Sequence, residues 1–320
     1  MLVLLASGGG SSRHQAPAGA SAGTRAEVHI VVSQTGSLPA AVQDAAGAPA
    51  GGGAVLLLGG LDSEEASVPD VLRVAEGAGV KVASLPTPLH DACAAALADG
   101  VYLFGGGEQT SFSGILKVPP AALQPGASGS GAEAEQVGSL PTPASDVACA
   151  VIGGTVYVIG GYTGQEPLRS IIAWRPGSSP RLVASLPKPL RYASVGVVGG
   201  RILIAGGTSG VHSSREVYAF EPAAARVHTI ALLPHGVTHA AGVALGGVLL
   251  VIGGRGEQPG SQRATILAVS PTGSVGVAGA LPRALSDVTA VATPAGAVLA
   301  GGADASGHPR SEILALSLSR

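Results

Sequence analysis

LPTPASDVACAVIGGTVYVIGGYTG, residues 140–164, holds the pattern that decides the fold. It contains a Leu-Pro pair, an apolar run, Gly153-Gly154, a second apolar run and Gly160-Gly161. Short apolar runs bounded by glycines read as strands joined by tight turns. Val147–Ile152 is the first predicted strand and Val156–Ile159 the second. Ser170–Trp174 and Arg181–Ala184, separated by Pro176-Gly177, are the third and fourth. The continuous apolar character of the second strand fits packing on both faces.

Working outward, the same pattern recurs along the chain. Leu-Pro occurs at Leu38, Leu85, Leu140, Leu186, Leu233 and Leu281, at intervals of 47, 55, 46, 47 and 48. A Gly-Gly begins at 59, 105, 160, 206, 253 and 301, which is 21 residues after its Leu once and 20 in every other copy. The long interval contains AALQPGASGSGAEAEQ, residues 121–136, which reads as an inserted surface loop. A four-stranded unit repeating at roughly 40–50 residues is the mark of a β-propeller. After Gly301-Gly302 only one more strand follows, Glu312–Leu318, and EVHIVVS at 27–33 has no partner strands before it. The expected architecture is therefore an all-β, six-bladed propeller of four-stranded blades over residues 27–320. The N-terminal strand at about 27–33 completes the last blade, which removes the open sheet edges.

Composition agrees with many short strands and turns: Gly is 50 of 320 residues and charged residues are 12%. A formal net charge of -2 gives no reason to expect nucleic acid. No apolar stretch of about 18 residues is present, so no transmembrane segment is expected. Residues 1–26 read as a flexible tether rich in Gly, Ala, Ser and Pro. Its start, MLVLLASGGGSS, resembles the end of a lipoprotein signal, with Ser7 near the place of the lipid-accepting Cys. Either the start is truncated or altered, or the likeness is accidental. The two cysteines, Cys93 and Cys149, lie in apolar first strands and read as small core residues without a redox or metal role. They fall eight and nine residues after their Leu, on opposite faces of adjacent blades.

The apolar-Gly-Gly repeat with a Leu-Pro entry resembles the kelch family of β-propellers, in the broad galactose-oxidase-like group. The aromatic positions that usually follow the glycine pair are thinly kept here, by Trp174 and Tyr218. The resemblance implies that the residues after Leu-Pro and those after Gly-Gly meet at one mouth of the channel. Six residues after each Leu stand Asp44, Asp91, Asp146, Tyr192, His239 and Asp287. The candidate ligand-binding set at that mouth is Asp44, His90, Asp91, Glu108, Arg191, Tyr192, His239 and Arg255. The structural alternative is that such residues serve their own turns. On that view Arg169 pairs with Asp146 and an arginine such as Arg310 with Asp287, leaving Asp44 and Asp91 unmatched. Acidic residues concentrate in the first two repeats, and Lys188, Arg191, His212, Arg215, His235, His239, Arg255 and Arg263 in the fourth and fifth. A face acidic on one rim and basic on the other suits a small polar ligand or a mixed-charge protein partner; scattered solvated charges are the alternative.

No metal-protease, nucleophile-elbow, Cys-x-x-Cys or phosphate-loop pattern occurs. The copper-oxidase members of the group need a cysteine-linked tyrosine that these cysteines do not suit. The reading is a monomeric, non-catalytic binding module without cofactor or catalytic residues, bacterial by its Ala/Gly/Pro bias, and extracytoplasmic or membrane-tethered, with a cytoplasmic location as the alternative. The alternative function, implied by resemblance alone, is a carbohydrate-active propeller such as a sialic-acid-type epimerase or mutarotase, with His90, Asp91, Arg191 and His239 moving protons.

Overall fold

The structure is a computed structural model that describes residues 28–124, 126–127 and 132–319. The expected tether at 1–26 lies outside the described residues. The strands are β1 (Ile30–Ser37), β2 (Ala46–Gly51), β3 (Ala54–Leu58), β4 (Asp70–Ala75), β5 (Ala78–Ser84), β6 (Cys93–Leu97), β7 (Gly100–Phe104), β8 (Gly114–Lys117) and β9 (Glu135–Ser139). They continue as β10 (Ala148–Ile152), β11 (Thr155–Ile159), β12 (Ser170–Trp174), β13 (Arg181–Ser185), β14 (Ser194–Val198), β15 (Arg201–Ala205), β16 (Glu216–Glu221) and β17 (Arg226–Leu232). The last are β18 (Ala241–Leu245), β19 (Val248–Ile252), β20 (Arg263–Val269), β21 (Val275–Ser286), β22 (Thr289–Thr293), β23 (Gly296–Ala300), β24 (Ala303–Asp304) and β25 (Glu312–Leu318). Two short 3-10 turns, at Pro120–Leu123 and Pro222–Ala224, are the only helical pieces among the described residues.

The fold is an all-β propeller. Four sheets stand as separate blades: β6–β9, β10–β13, β14–β17, and β18–β21 with β24 added. The remaining strands do not form the two separate sheets the repeat predicted. They make one eight-stranded sheet in the order β2-β3-β4-β5-β1-β25-β23-β22. Its halves meet at a single parallel pair, Ser37 with Ala78. Glycine permits this contact, since a Cβ on Gly36 would lie 1.8 Å from the Gly77 carbonyl oxygen. β1 begins later than expected and runs antiparallel to β25, from Ile30 opposite Leu318 to Ser37 opposite Glu312.

The strands β2, β6, β10, β14, β18 and β22 neighbour one another in a closed cycle. The second strands behind them are the core. Every residue of β3, β7 and β19 is buried. In the sheets β6–β9, β10–β13 and β14–β17 the fourth strand is outermost, and the exposed apolar residues Val137, Leu182 and Leu232 lie on these strands.

The glycine pair locks each unit to the next. Gly160 has φ of 62°, and a Cβ there would meet the Leu190 carbonyl oxygen at 2.1 Å. The next residue, Gly161, donates its N–H to that oxygen at 2.9 Å. The same bond recurs at Gly60, Gly106, Gly207, Gly254 and Gly302.

Most described residues of the insertion at 121–136 are exposed, with two points of anchorage. Ala122 and Ala134 are buried. Ser84 N–H donates to the Ala132 carbonyl at 2.9 Å, and Ala134 N–H to the Ser84 carbonyl at 2.8 Å. Residues 132–134 thus tie the β6–β9 sheet to the preceding strand β5.

Cys93 and Cys149 are not independent core residues: they form a disulfide, with Cα atoms 5.6 Å apart. Their one-residue offset puts them on opposite faces, and in a ring the opposite faces of neighbouring blades look at each other. The bond closes a loop of 56 residues, worth about 4 kcal/mol on the chain-entropy account. It belongs to an alternating set of ties, each from the position two residues after the ring residue. Ser194 donates to the Ala240 carbonyl at 2.9 Å and Thr289 to the Ala45 carbonyl at 2.7 Å. The remaining three copies carry alanine there: Ala46, Ala148 and Ala241.

Candidate functional site at the channel mouth

The six residues that follow each Leu by six share one backbone state. Asp44, Asp91, Asp146, Tyr192, His239 and Asp287 all have φ between 54° and 58°, in the left-handed region. Their backbones are chained around the axis. Asp91 N–H donates to Asp44 O, Asp146 to Asp91, Tyr192 to Asp146, Asp287 to His239 and Asp44 to Asp287, at 2.7–3.2 Å. This accounts for the residue types, since Asp and His are enriched in this conformation among non-glycine residues. Tyrosine is not, and Tyr192 is a bulky residue held in a strained state.

Together these side chains line a narrow cavity of about 130 Å³ at the mouth. Four carboxyls stand in consecutive positions around it. Burial raises Asp44 well above the ordinary carboxylate value, and the neighbouring Asp287 and Asp91 raise it further. Asp91 is likewise raised well above it, by burial and then Asp146, against a lowering hydrogen bond from Tyr192. Asp146 and Asp287 are raised by burial, which outweighs Arg191 at the first and the Ser286 hydroxyl at the second. Like charges this close in a buried site favour the protonated forms.

The other side of the ring is aromatic. The rings of Tyr192 and His239 stack with centroids 3.6 Å apart. Burial, then Arg255 and Arg191, depress the His239 imidazole to about 2. It is therefore neutral, and Arg255 Nη2 donates to its Nε2 at 3.1 Å.

A larger polar cleft of about 270 Å³ opens beside this cavity. It forms because each residue before a ring position pairs with the residue after a glycine pair: His90 with Gly107, Ser145 with Tyr162, Arg191 with Thr208 and Thr238 with Arg255. At its centre Arg191 Nε lies 2.7 Å from Asp146 Oδ2. The guanidinium carbon sits 4.3 Å from the Tyr162 ring centroid and 4.7 Å from that of Tyr192. The Tyr192 hydroxyl donates to Asp91 Oδ2 at 2.9 Å. His90 Nε2 is 3.7 Å from the same oxygen, and its Nδ1 is 2.8 Å from Ser67 Oγ. Glu108 lines the rim and is exposed.

The eight sequence candidates thus fall into two adjoining cavities and their immediate support. Asp44 and His239 line the axial cavity; His90, Glu108 and Arg191 line the cleft; Asp91 and Tyr192 line both; Arg255 braces His239. The expected local buttresses are not found. Arg169 donates to the Leu186 and Pro187 carbonyls, because its strand position lies beside the chain entering the next repeat. Arg310 pairs with Glu312 and Asp304. The partner of Asp146 is instead Arg191, from the next sheet. Nor is Asp91 unmatched, since Tyr192 reaches it across the ring. Much of the basic rim is also locally occupied: Lys188 pairs with Glu216 at 2.6 Å and His212 with Glu257 at 3.0 Å. Tyr162 is a further cleft residue outside the sequence-predicted set, although its slot after Gly160-Gly161 is the one that Arg255 fills after Gly253-Gly254.

Tyr192→Asn tests the strain. Asparagine tolerates the left-handed state, so stability by urea unfolding should hold or rise despite the lost stacking. A loss above about 2 kcal/mol would mean that Tyr192 is primarily a packing residue.

These features define a β-propeller with a polar, mixed-charge mouth. Residues 143–179 match the Kelch motif family. The match supports a kelch repeat within the propeller and covers one repeat of the chain. A solved structure titled "Structure of YjhT" is similar, with a TM-score of 0.75 and 14% identity over 89% of this chain and 99% of that one. That likeness concerns the fold alone. No curated protein matches the chain.

Proposed function

We propose that the protein is a binding module that takes a small polar ligand, or a polar protein segment, in the cleft beside the channel. The observation that supports this most directly is Arg191. It is fixed between two tyrosine rings and a buried carboxylate, while 24% of its side chain remains exposed to the cleft. Such a preorganised guanidinium loses little freedom on binding. Around it stand acceptors (Asp91, Asp146, Glu108) and hydroxyls (Ser111, Ser145), a lining that suits a hydroxyl-rich or zwitterionic ligand better than an apolar one. A thermal-shift screen against sugars, amino acids and divalent ions tests this. A hit lost in Arg191→Ala and weakened in Asp91→Asn supports the cleft. A hit indifferent to both substitutions places binding elsewhere.

A catalytic reading stands second, on one observation. Asp91 holds its proton above the ordinary carboxylate range, beside His90 and the Tyr192 hydroxyl, which is an acid–base arrangement. Accelerated anomeric exchange of a reducing sugar by NMR, lost in Asp91→Asn, would favour it.

We also read the eight-stranded sheet as two blades in edge contact, with β1 completing the last one, for a total of six. The single Ser37–Ala78 pair between its halves and the cyclic order of the first strands support this count. The Cys93–Cys149 bond supports an extracytoplasmic location, where disulfides persist. No helix among the described residues is long and apolar enough to cross a membrane.

A further inference from the structure

At five of the six junctions adjacent ring residues are joined at the mouth by a backbone hydrogen bond, and at one of these a covalent bond joins the strands as well. Asp146 N–H donates to Asp91 O at 2.7 Å. Two and three residues further along the same strands, Cys93 and Cys149 are joined. This is the junction at which the polar cleft opens. His90, Asp91 and Glu108 come from one side of it, and Ser145, Asp146 and Tyr162 from the other. The equivalent ties at Ser194 and Thr289 are hydroxyl-to-carbonyl bonds, which no change of redox state affects.

We infer that the Cys93–Cys149 disulfide is a redox-cleavable latch that holds the two walls of the cleft in register. Cleavage uses a dithiol. One thiolate attacks a protein sulfur, the S–S bond breaks, and a mixed disulfide forms. The second thiol of the reagent then displaces the protein sulfur. The products are two cysteine thiols and the oxidised cyclic form of the reagent, with two electrons transferred. Cys149 is the more accessible target, since Cys93 is 7% exposed and Cys149 only half-buried. Without the bond, the junction retains its backbone hydrogen bond and a buried aromatic contact. It therefore loosens locally rather than unfolding the ring.

The protein carries its own reporter of this event. Trp174 is the only tryptophan, and it packs in the core between these two sheets. Its ring lies edge-on to Tyr102 at 4.9 Å and to Phe104 at 5.3 Å.

The inference needs no ligand, and its test stands apart from the binding reading. The full chain is treated with dithiothreitol, and thiol release is counted by mass after alkylation. Trp174 emission and amide hydrogen exchange are followed in parallel. Reduction should shift the Trp174 emission and speed exchange at Asp146 and along β6 and β10 by about tenfold. The amide of Asp287, which donates to His239 across the ring from this junction, should not change. Cys93→Ala with Cys149→Ala should show the same emission without reductant and no further response to it. If that variant does not fold, the reduced wild-type chain decides. Unchanged exchange at Asp146 after complete reduction overturns the latch. So does equal acceleration all around the ring, or two free thiols in the air-oxidised protein.

Discussion

Asp44→Asn should make the protein more stable at neutral pH. The substitution removes one of four carboxyls packed around a narrow cavity, keeps the shape, and suits the left-handed backbone at φ of 55°. Burial and two neighbouring carboxyls hold the Asp44 pKa well above the ordinary value of 3.8. The sign follows from proton binding. Above pH 3.8 the folded chain keeps a proton that the unfolded chain has released. Stability from this group is therefore complete below that pH and declines as pH rises through the folded-state value. At neutral pH the native state bears either a strained charge or the work of holding a proton. Asparagine bears neither. A gain of about 1–4 kcal/mol is expected, as when buried charges give way to neutral groups of similar shape. Denaturant unfolding across pH 4–8 checks it: the wild type should lose stability relative to the variant as pH rises. Surface pairs act in the other sense. Glu216, depressed to about 2 by hydrogen bonds from Lys188 and Ser214, stabilises above the ordinary carboxylate range and is lost in acid. Because that contribution is common to both proteins, the difference isolates Asp44. A variant that is less stable throughout would show that the carboxylate is held by a favourable partner.

Gly160→Ala should be among the most damaging single substitutions outside the mouth. A methyl group there meets the Leu190 carbonyl oxygen at 2.1 Å. That oxygen is the one that accepts from Gly161 N–H at 2.9 Å. The left-handed state costs a non-glycine residue about 1–2 kcal/mol, and breaking the hydrogen bond adds about 1 kcal/mol. The expected total is about 2–3 kcal/mol, read as a shift in the urea midpoint. Gly177→Ala is the control. Gly177 has φ of 74° but nothing within 4 Å of an added Cβ, so only the conformational cost applies. Equal losses at both sites would show that the glycine pair serves the turn alone and not the contact with the next repeat.

The two substitutions mark what could be read from the chain and what could not. The Leu-Pro and Gly-Gly spacing carried the strand order well, because a repeat fixes local geometry in every copy. β12, β19 and β25 begin and end where the apolar runs do. The merging of two units into one sheet was not legible. It depends on Gly36 and Gly77 touching across a gap that no spacing reveals. At the mouth, the ring of six was visible as an offset, but its meaning was not. The choice of Asp and His reflects a backbone state, and Tyr192 is informative because it violates it. The ion pairs are not legible within one repeat. Arg191 with Asp146 and Tyr192 with Asp91 each cross between repeats. The cysteines show the same effect: their one-residue offset is visible in the sequence, and only the curvature of the ring turns opposite faces into facing ones.

The pairing of β1 with β25 sets a timetable for the chain. Thr35 and Ile313, which touch across that pair, are 278 residues apart, whereas the repeats follow at 46–55 residues. Closing so long a loop costs only about 1.5 kcal/mol more than closing one repeat, so at equilibrium the arrangement is nearly as favourable as a local one. In time it is different. Every other sheet can be assembled from neighbouring segments as they emerge, but the strand made first must wait for the strand made last. Until then it presents an unpaired edge, and an interval of exposure to other chains is built into the biosynthesis of the molecule.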